Sequence, residues 1–495
     1  MKRAVFACFA LLTGAVSAEP LFENRSSALP EHSYSGGWEH FVGGGLAVFD
    51  CDGDELPDIF AAGGTEPAQL IRNTGAFTFE PRVIPELTGV TGAYPIDVDA
   101  DGFLDLFVLR AGPNMLLKGG GDCTFTDATE GFGLPVSDQW STAFTAWWEN
   151  GDQRPTFAIG NYVDREDPKG PFEACDTNAI LRPAQTGYLK ETLQPGFCSL
   201  SMLAAKDSRG RDTLRISNDR HYYVRGGREQ MWDIKEGRFL GEEDGWKRVS
   251  LWGMGIASRD LNGDGLDEVM LTSMGDQLLQ FATQGGGYKA APFGFGTYAH
   301  RPHVGDEGRP STGWHAEFGD IDNDARVDLF IAKGNVDQMP SMAMRDPNTL
   351  LQQQVDGTFR EISQFAGVAS MDRSRGAALA DFDLDGRLDL IVSNRRVPLE
   401  LYRNVTPTTG TWIALSLKQA GGNRNAIGAV IEVWAEGVDQ SVQHVIGGGH
   451  AGGQILPRHF GLGAAQVAQV RVTWPDGTQT ERSLKAGARH IIIKP

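Results

Sequence analysis

One short acidic pattern recurs five times along the chain and constrains the fold more than any other feature. One copy is LADFDLDGRLDLIVSN at residues 379–394, and similar stretches begin at residues 48, 95, 258 and 318. Each copy has oxygen-bearing side chains at loop positions 1, 3, 5 and 9, between two apolar runs. Because like charges repel each other at such short range, a folded loop of this kind needs a cation to neutralise them. The pattern therefore predicts five cation-binding loops.

The donor set favours calcium at about five sites. Ca²⁺ takes six to eight oxygens, including a backbone carbonyl expected here at position 7, whereas magnesium prefers smaller octahedral sites. Softer metals would need Cys or His ligands, which these positions lack. The predicted ligands, with the position 7 residue offering its carbonyl, are Asp50, Asp52, Asp54, Leu56 and Asp58; Asp97, Asp99, Asp101, Phe103 and Asp105; Asp260, Asn262, Asp264, Leu266 and Glu268; Asp320, Asp322, Asp324, Arg326 and Asp328; and Asp381, Asp383, Asp385, Arg387 and Asp389.

These loops are predicted to lie in β-hairpins and not in EF-hands. An EF-hand requires a bidentate Glu at position 12 and a helix on each side. Position 12 is instead Ala61, Val108, Leu271, Ile331 or Val392, and the flanking runs LFVL, LFIA and LIVS are typical of strands. Simple Asx turns are the alternative for an isolated Asp-Gly, but they would not require an acid at position 9 in every copy.

The spacing of the copies predicts the architecture. Their first Asp residues lie at 50, 97, 260, 320 and 381, so neighbouring copies are 47, 60 and 61 residues apart, with one gap of 163. A third of that gap is about 54, and AFTAWWENGDQRPTFAIGNY and SMLAAKDSRGRDTLRISN within it resemble worn copies. Seven repeats of about four strands each predict an all-β fold, a seven-bladed β-propeller over residues 19–410. Residues around 38–47 are expected to complete a strand of the closing blade.

Both ends of the chain differ from the repeats. Residues 1–18 carry Lys2 and Arg3, an apolar run and a small-residue end, which is typical of a removed signal peptide. From residue 411 to 495 the acidic pattern stops, and WIALSLK, AVIEVWA and QVRVTW predict a separate small β domain. No later stretch is long and apolar enough to cross a membrane. The protein is therefore expected to be secreted or periplasmic.

Charge and cysteines fit that location. The formal charge is -19, or -21 without Lys2 and Arg3, which argues against nucleic acid as a partner. Four cysteines follow the leader, and an even number in an exported chain suggests two disulfides. Cys51 with Cys123 and Cys175 with Cys198 are the expected pairs, while the other pairings stay open.

The motifs resemble a known family. The acidic copies resemble FG-GAP or VCBS-type repeats, and SRGAALADFDLDGRLDLIVSN, LYRN, GGNRNAIGAVIEVWA, RHFGLG and VRVTWPDGTQ together resemble the ASPIC/UnbV (cartilage acidic protein-like) family. The resemblance covers nearly all of the mature chain. It implies an FG-GAP propeller followed by an ASPIC/UnbV module, with calcium ligation in the five loops. Where that family tends to have Gly-Tyr-x-Ser-Gln, this chain has GGGHAGGQ, with His450 near the tyrosine position.

Two classes of function remain open from the sequence. The leading interpretation is a calcium-binding module that recognises or adheres to an extracellular or periplasmic protein, carbohydrate or small molecule, because calcium in such loops stabilises the native state without naming a substrate. The oligomeric state is not predicted. Trp140, Trp147 and Trp148 could stack on a sugar, although filling the space between blades is the simpler interpretation.

The competing hypothesis is an extracytoplasmic enzyme of the lyase, dehydratase or cyclase type. The segment YAHRPHVGDEGRPSTGWHAEFGD contains Tyr298, His300, His303, Glu307 and His315. Such residues could hold a transition metal or act as general acids and bases. A long polar loop that merely collects His for hydrogen bonds is the simpler alternative, so the sequence does not decide whether the protein is an enzyme.

Overall fold

The computed structural model describes residues 19–149, 151–167, 173–219, 226–306, 308–407 and 409–495. The predicted signal peptide at 1–18 and the candidate Glu307 lie outside the described residues. Two disulfides are present, Cys51 with Cys123 and Cys175 with Cys198, which confirms the expected pairing. Within the described ranges, no helix is both long and apolar enough to span a membrane.

Residues 22–404 form antiparallel sheets whose strands mostly follow one another along the chain. Each sheet has four strands, and one of them gains a fifth strand from the C-terminal region. In chain order the strands are β1 (Phe22–Asn24), β2 (Leu46–Phe49), β3 (Asp58–Ala61), β4 (Gln69–Asn73), β5 (Phe79–Arg82), β6 (Val90–Ile96), β7 (Asp105–Arg110), β8 (Met115–Gly119), β9 (Phe125–Asp127), β10 (Ser141–Trp147), β11 (Thr156–Asn161), β12 (Asn178–Pro183), β13 (Tyr188–Leu193), β14 (Ser199–Lys206), β15 (Asp212–Asn218), β16 (Gln230–Asp233), β17 (Arg238–Phe239), β18 (Gly253–Arg259), β19 (Glu268–Ser273), β20 (Leu278–Ala282), β21 (Tyr288–Ala290), β22 (Gly313–Gly319), β23 (Asp328–Lys333), β24 (Thr349–Gln353), β25 (Phe359–Glu361), β26 (Ser374–Ala380), β27 (Asp389–Asn394) and β28 (Glu400–Asn404).

The sheets are β2–β5, β6–β9, β10–β13, β14–β17, β18–β21, β22–β25, and β26–β28 with β1 at its outer edge. This arrangement is all-β and propeller-like with four-stranded sheets, as predicted. The expectation for residues 38–47 was wrong, because β1 pairs with β28 and completes the last sheet, whereas residues 38–40 form a 3₁₀ turn and β2 begins the first sheet. The helices are short: α1 (Ser363–Ala366) and 3₁₀ turns at Ser26–Ala28, Trp38–His40, Glu242–Asp244 and Phe293–Phe295.

Side chains on both faces of these sheets are buried, which explains the near-continuous apolar runs. Every residue of β23 is buried, and the strand reads DLFIAK without polar alternation. Between the second and third sheets, the rings of Phe107 and Phe144 stack at 4.5 Å. Trp140 is fully buried and contacts Phe41 and Tyr162, as expected of a core residue.

The C-terminal region forms two further sheets around a core of its own. Its strands are β29 (Thr411–Lys418), β30 (Val430–Ala435), β31 (Val438–Gln443), β32 (Gln454–Ile455), β33 (Arg458–Gly463), β34 (Val467–Thr473), β35 (Gln479–Lys485) and β36 (Ala488–Ile493). The sheet orders are β33-β29-β36 and β31-β30-β34-β35, and β32 instead pairs in parallel with β2. Ile413, Val433, Phe460 and Trp474 belong to the core between these two sheets.

Candidate functional site

The acidic loops connect the first and second strands of their sheets and bring carboxylates together as predicted. In four loops, three carboxylates have oxygens within 4.8 Å of one another. The fifth loop, at Asp260, carries Asn262 at position 3 and therefore fewer carboxylates. The four groups are Asp50, Asp52 and Asp58; Asp97, Asp99 and Asp101; Asp320, Asp322 and Asp328; and Asp381, Asp383 and Asp385.

The carboxylate at position 1 holds the loop in a turn by accepting hydrogen bonds from the loop's own backbone. In the first loop, Asp50 accepts hydrogen bonds from the backbone N–H groups of Gly53 at 2.7 Å and Glu55 at 2.9 Å. The N–H of each position 7 residue in turn donates to the position 5 carboxylate, from Leu56, Phe103, Leu266, Arg326 and Arg387. The five loops therefore share one backbone conformation.

Position 9 has a second role that sequence reasoning missed. Asp389 accepts the N–H of Phe382 at 2.9 Å, inside its own loop, and the N–H of Asn404 at 2.8 Å, on the third strand. Asp58, Asp105 and Asp328 make the equivalent pairs of bonds. The acid at this position thus joins loop and sheet, and Asp58 and Asp328 also lie within 4.8 Å of two other carboxylates of their loops. Its presence in every copy was the sequence signal for this role.

The loops are electrostatically unfavourable as clusters of bare carboxylates. Burial raises the pKa of Asp58 to about 7, of Asp97 to about 6 and of Glu268 to about 8. The charges of neighbouring acids add to this effect. Glu268 is completely buried, yet its Oε1 has no hydrogen-bond partner in the protein, and neither has Oδ1 of Asp97. Oxygen-only donors with unpartnered buried atoms fit a hard cation such as calcium.

The two worn repeats fold into sheets without such clusters. The loop between β14 and β15 keeps Asp207, which accepts the N–H groups of Arg209 and Arg211 and forms an ion pair with the Arg211 guanidinium. Among the residues that the structure describes, no group of three acids lies in either loop. These two repeats therefore keep the strands and the connecting loop but lack the cluster of acids.

The candidate catalytic residues do not converge. Tyr298 and His300 meet at Asp276, whose carboxylate lies 2.5 Å from the Tyr298 hydroxyl and 2.5 Å from His300 Nδ1. His303 lies apart, with Nε2 3.6 Å from Glu361 Oε1. Asp276 was missed because it lies on a separate connection, after β19.

His315 belongs to a third environment, on β22. Its Nδ1 accepts the backbone N–H of His450 at 3.1 Å, and its Nε2 lies 3.4 Å from Glu317. In the described part of the chain, the three candidate histidines share no cluster of metal-ligating atoms within 4.8 Å. What the structure brings together is the Tyr298, Asp276 and His300 cluster alone.

A glycine-rich stretch of the C-terminal region, residues 446–455, enters the space between the sheets. We call it the central segment. It makes backbone bridges to the first strands of five sheets: Ile446 to Ala146, Gly447 to Leu203, Gly449 to Ile256, Gly452 to Ala93, and β32 to β2. It therefore occupies the region onto which those first strands converge. Three glycines of GGGHAGGQ, Gly447, Gly448 and Gly452, closely approach backbone carbonyls of the sheets. Gly449 and Gly453 lie against aromatic side chains instead.

His450 is the buried centre of this segment. Its side chain is inaccessible to solvent, and its ring lies 4.9 Å from that of Trp314. Nδ1 donates to the carbonyl of Met254 at 3.1 Å, while Nε2 accepts the N–H of Gly43 at 3.2 Å, which is the neutral tautomer. Burial, together with the charge of Arg375, lowers the pKa of His450 to about 3. The residue is thus a satisfied core histidine.

This burial predicts a pH dependence of stability. Between about pH 6.5 and pH 3, His450 binds a proton in the unfolded chain but not in the folded one. Folding stability from this group is complete above pH 6.5 and falls by about 1.4 kcal/mol per pH unit below it. Urea denaturation between pH 6 and pH 4 measures the free energy of unfolding. In His450→Gln this free energy should fall less steeply with decreasing pH than in the wild type, by about 1.4 kcal/mol per pH unit, which is the contribution of one bound proton. Equal slopes for variant and wild type would contradict the assigned neutral state.

Comparisons with known proteins agree with the repeats and the C-terminal module. The sequence matches the FG-GAP-like repeat over residues 50–108 and 320–392, and ASPIC and UnbV over residues 419–495. It is 27% identical over 179 residues to cartilage acidic protein 1 of Homo sapiens and equally so to that of Mus musculus. Each alignment covers 35% of this chain and 27% of the relative, so the match spans about a quarter of the relatives' length.

Similar solved structures have low sequence identity. The structure of BBS1N in complex with ARL6DN matches with a TM-score of 0.47 and 10% identity, covering 80% of this chain and 99% of that one. The structure of YCF48 bound to D1 peptide matches with a TM-score of 0.41 and 12% identity, covering 79% of this chain and 99% of that one.

Proposed function

Because the chain is an FG-GAP-like repeat protein with an ASPIC/UnbV segment, we propose that it is an extracytoplasmic, calcium-stabilised propeller that acts as a ligand-binding or adhesion module. Two disulfides favour an oxidising location outside the cytoplasm. The first strands β2, β6, β10, β14, β18, β22 and β26 pack each against the next, and β26 packs against β2. That packing supports a closed ring of seven blades over residues 19–410, followed by an ASPIC/UnbV domain at 411–495.

The calcium proposal rests on the unpartnered, buried oxygens of the loops. Calcium would be held by the twenty-five predicted ligands and would supply positive charge, with no chemistry of its own. By neutralising the acids it would stabilise the folded state through preferential binding. We expect about five calcium ions per chain by elemental analysis after dialysis in calcium-containing, transition-metal-free buffer. A chain without calcium would contradict the proposal, and one stoichiometric zinc, copper or iron would favour the enzyme hypothesis.

A cavity between the propeller and the C-terminal domain, with both polar and apolar walls, is the proposed ligand site. It has a volume of about 90 Å³, and its lining includes Arg259, Arg458, Arg489, Glu317 and His459. Arg259 Nε has no hydrogen-bond partner in the protein, and Arg489 Nη1 has none closer than its ion pair with Glu55 at 4.0 Å. Guanidinium groups with free donors bind carboxylates well. The cavity therefore favours the carboxylate of an acidic ligand such as a uronic acid. The centre of the ring of sheets is occupied by the central segment, so we do not place the ligand there.

Isothermal titration with sodium glucuronate tests this site, with glucose as the neutral control. We expect heat of binding for glucuronate, none for glucose, and a loss of the signal in Arg259→Gln. Circular dichroism shows whether that variant is folded. Equal responses to the two sugars, or an unchanged response in the folded variant, would remove the cavity from the proposal.

One observation favours a second candidate function, general acid and base catalysis at the Tyr298, Asp276 and His300 cluster. Because the Asp276 carboxylate holds Nδ1 of His300, Nε2 of that histidine is available as a base. The side chains of His300 and Asp276 are each 43% exposed. Activity-based screening with carbohydrate substrates, comparing wild type with His300→Ala, separates this function from a binding module. Turnover that survives in His300→Ala would exclude the cluster.

A further inference from the structure

In each of the five sheets that carry an acidic loop, the third strand presents one variable residue to that loop. This residue is the penultimate one of β4, β8, β20, β24 and β28, and it follows the residue that pairs with loop position 10 in each sheet. The loops also differ at position 7, and one of them has Asn262 at position 3 and Glu268 at position 9. The third-strand residue varies most in charge, because it changes between cationic, neutral polar and aromatic. The five residues are Arg72, Lys118, Phe281, Gln352 and Arg403.

Three of these residues place a positive charge on the ligand carboxylates. Arg72 contacts Asp52 at 2.5 Å and Asp54 at 3.1 Å. Arg403 in the same way contacts Asp383 at 2.6 Å and Asp385 at 3.5 Å. Lys118 bridges the equivalent pair of the second loop, at positions 3 and 5. In these loops a built-in cation already holds the two carboxylates that calcium would use.

The other two loops have no such cation at this position. Gln352 donates a neutral hydrogen bond to Asp322 at 3.0 Å. Phe281 offers no polar group and packs against the apolar cluster around Leu279 and Phe359. The oxygens at positions 3 and 5 of these loops are therefore not held by a third-strand charge.

The loops at 320 and 381 form a matched pair. Both have four Asp residues, and in both the position 7 arginine, Arg326 or Arg387, contacts the position 5 carboxylate of its own loop. The position 7 arginine should therefore have the same effect on calcium affinity in both loops. The third-strand residue differs, Gln352 in one and Arg403 in the other. The clustered carboxylates of the loop at 320 are also more deeply buried than those of the loop at 381.

We propose that this third-strand residue sets the calcium affinity of each loop. The loops at 260 and 320 bind calcium more tightly, while the loops at 50, 97 and 381 bind it more weakly because a third-strand cation repels the ion and holds the carboxylates of both position 3 and position 5. In the loop at 320, Arg326 contacts the position 5 carboxylate alone. At a few ångströms, one unit charge acting on a divalent ion changes the affinity by roughly tenfold or more, even in a high dielectric. The protein would then keep two calcium ions firmly and exchange three with its surroundings. This inference rests on the calcium proposal above.

Competition with a calibrated calcium chelator on the whole, calcium-stripped protein tests the ranking. We expect two tight sites and three weaker ones in the wild type. Arg403→Gln and Arg72→Gln should each convert one weak site into a tight one, giving three tight sites. Gln352→Arg should do the reverse and leave one. Arg238→Gln, whose guanidinium pairs with Asp244 away from the five loops, removes the same charge and should leave two tight sites.

The outcomes separate the two proposals. Absence of any calcium binding would overturn both the metal proposal and the ranking. Five bound ions of one affinity, unchanged in Arg72→Gln and Arg403→Gln, would overturn the ranking and leave calcium binding intact. An equal shift in Arg238→Gln would mean that overall charge, and not the third-strand contact, controls the affinity. Two independent arginine variants keep the test valid if one of them does not fold.

Discussion

Gly92→Ala is expected to destabilise the protein by about 4 kcal/mol or more. Gly92 lies on β6, where a Cβ atom would stand 1.5 Å from the carbonyl oxygen of Ala451 in the central segment. Gly45, just before β2, has the same constraint, with its Cβ position 1.9 Å from that oxygen. Since the neighbouring atom is backbone, it cannot turn aside as a side chain would. Either the segment leaves its place or the first two sheets separate.

Thermal and urea denaturation in saturating calcium measure this effect. Gly285→Ala is the matched control, because no atom lies within 4 Å of its Cβ position, and we expect it to change stability by less than about 1 kcal/mol. A Gly92→Ala protein as stable as this control would show that the segment does not pack against the sheets. Gly45→Ala should repeat the loss independently.

The repeats could be predicted because they are local. The acids at positions 1, 3, 5 and 9 bond to backbone groups of their own loops, as Asp50 does with Gly53 and Glu55. Strand type and order follow from the same short period. The worn copies could be located only by spacing, and their sheets form because backbone pairing and apolar burial do not need the metal ligands.

The features that were missed depend on contacts between distant parts of the chain. The central segment fills the space between sheets more than 190 residues away, as the bond from His450 to Met254 illustrates. A single sequence gives no sign of this partner beyond an unusual density of glycine. The histidines near residue 300 were predicted to form one site because they are close in sequence. In the structure, His300 turns to Asp276 while His315 lies on a strand facing His450.

Asp389→Ala is expected to destabilise the protein with or without calcium, whereas Asp383→Ala should do so only with calcium. Asp389 is fully buried and accepts the N–H groups of Phe382 and Asn404. Its removal leaves two buried donors unsatisfied, which costs about 2–4 kcal/mol. Asp383 accepts from the partly exposed Arg403 side chain, so its main contribution is as a calcium ligand.

Melting temperatures of wild type and both variants, each in excess calcium and in excess chelator, separate the two roles of these carboxylates. In chelator, Asp383→Ala should melt close to the wild type. The variant loses the ion pair with Arg403, but it also loses a repulsion between carboxylates, and we expect these two contributions to stability to be similar in size. Asp389→Ala should remain several degrees lower in both conditions. If the two variants lose the same stability in calcium and neither loses any in chelator, the position 9 acid is a metal ligand only. The pair of backbone bonds that joins each loop to its third strand would then carry little of the stability of the fold.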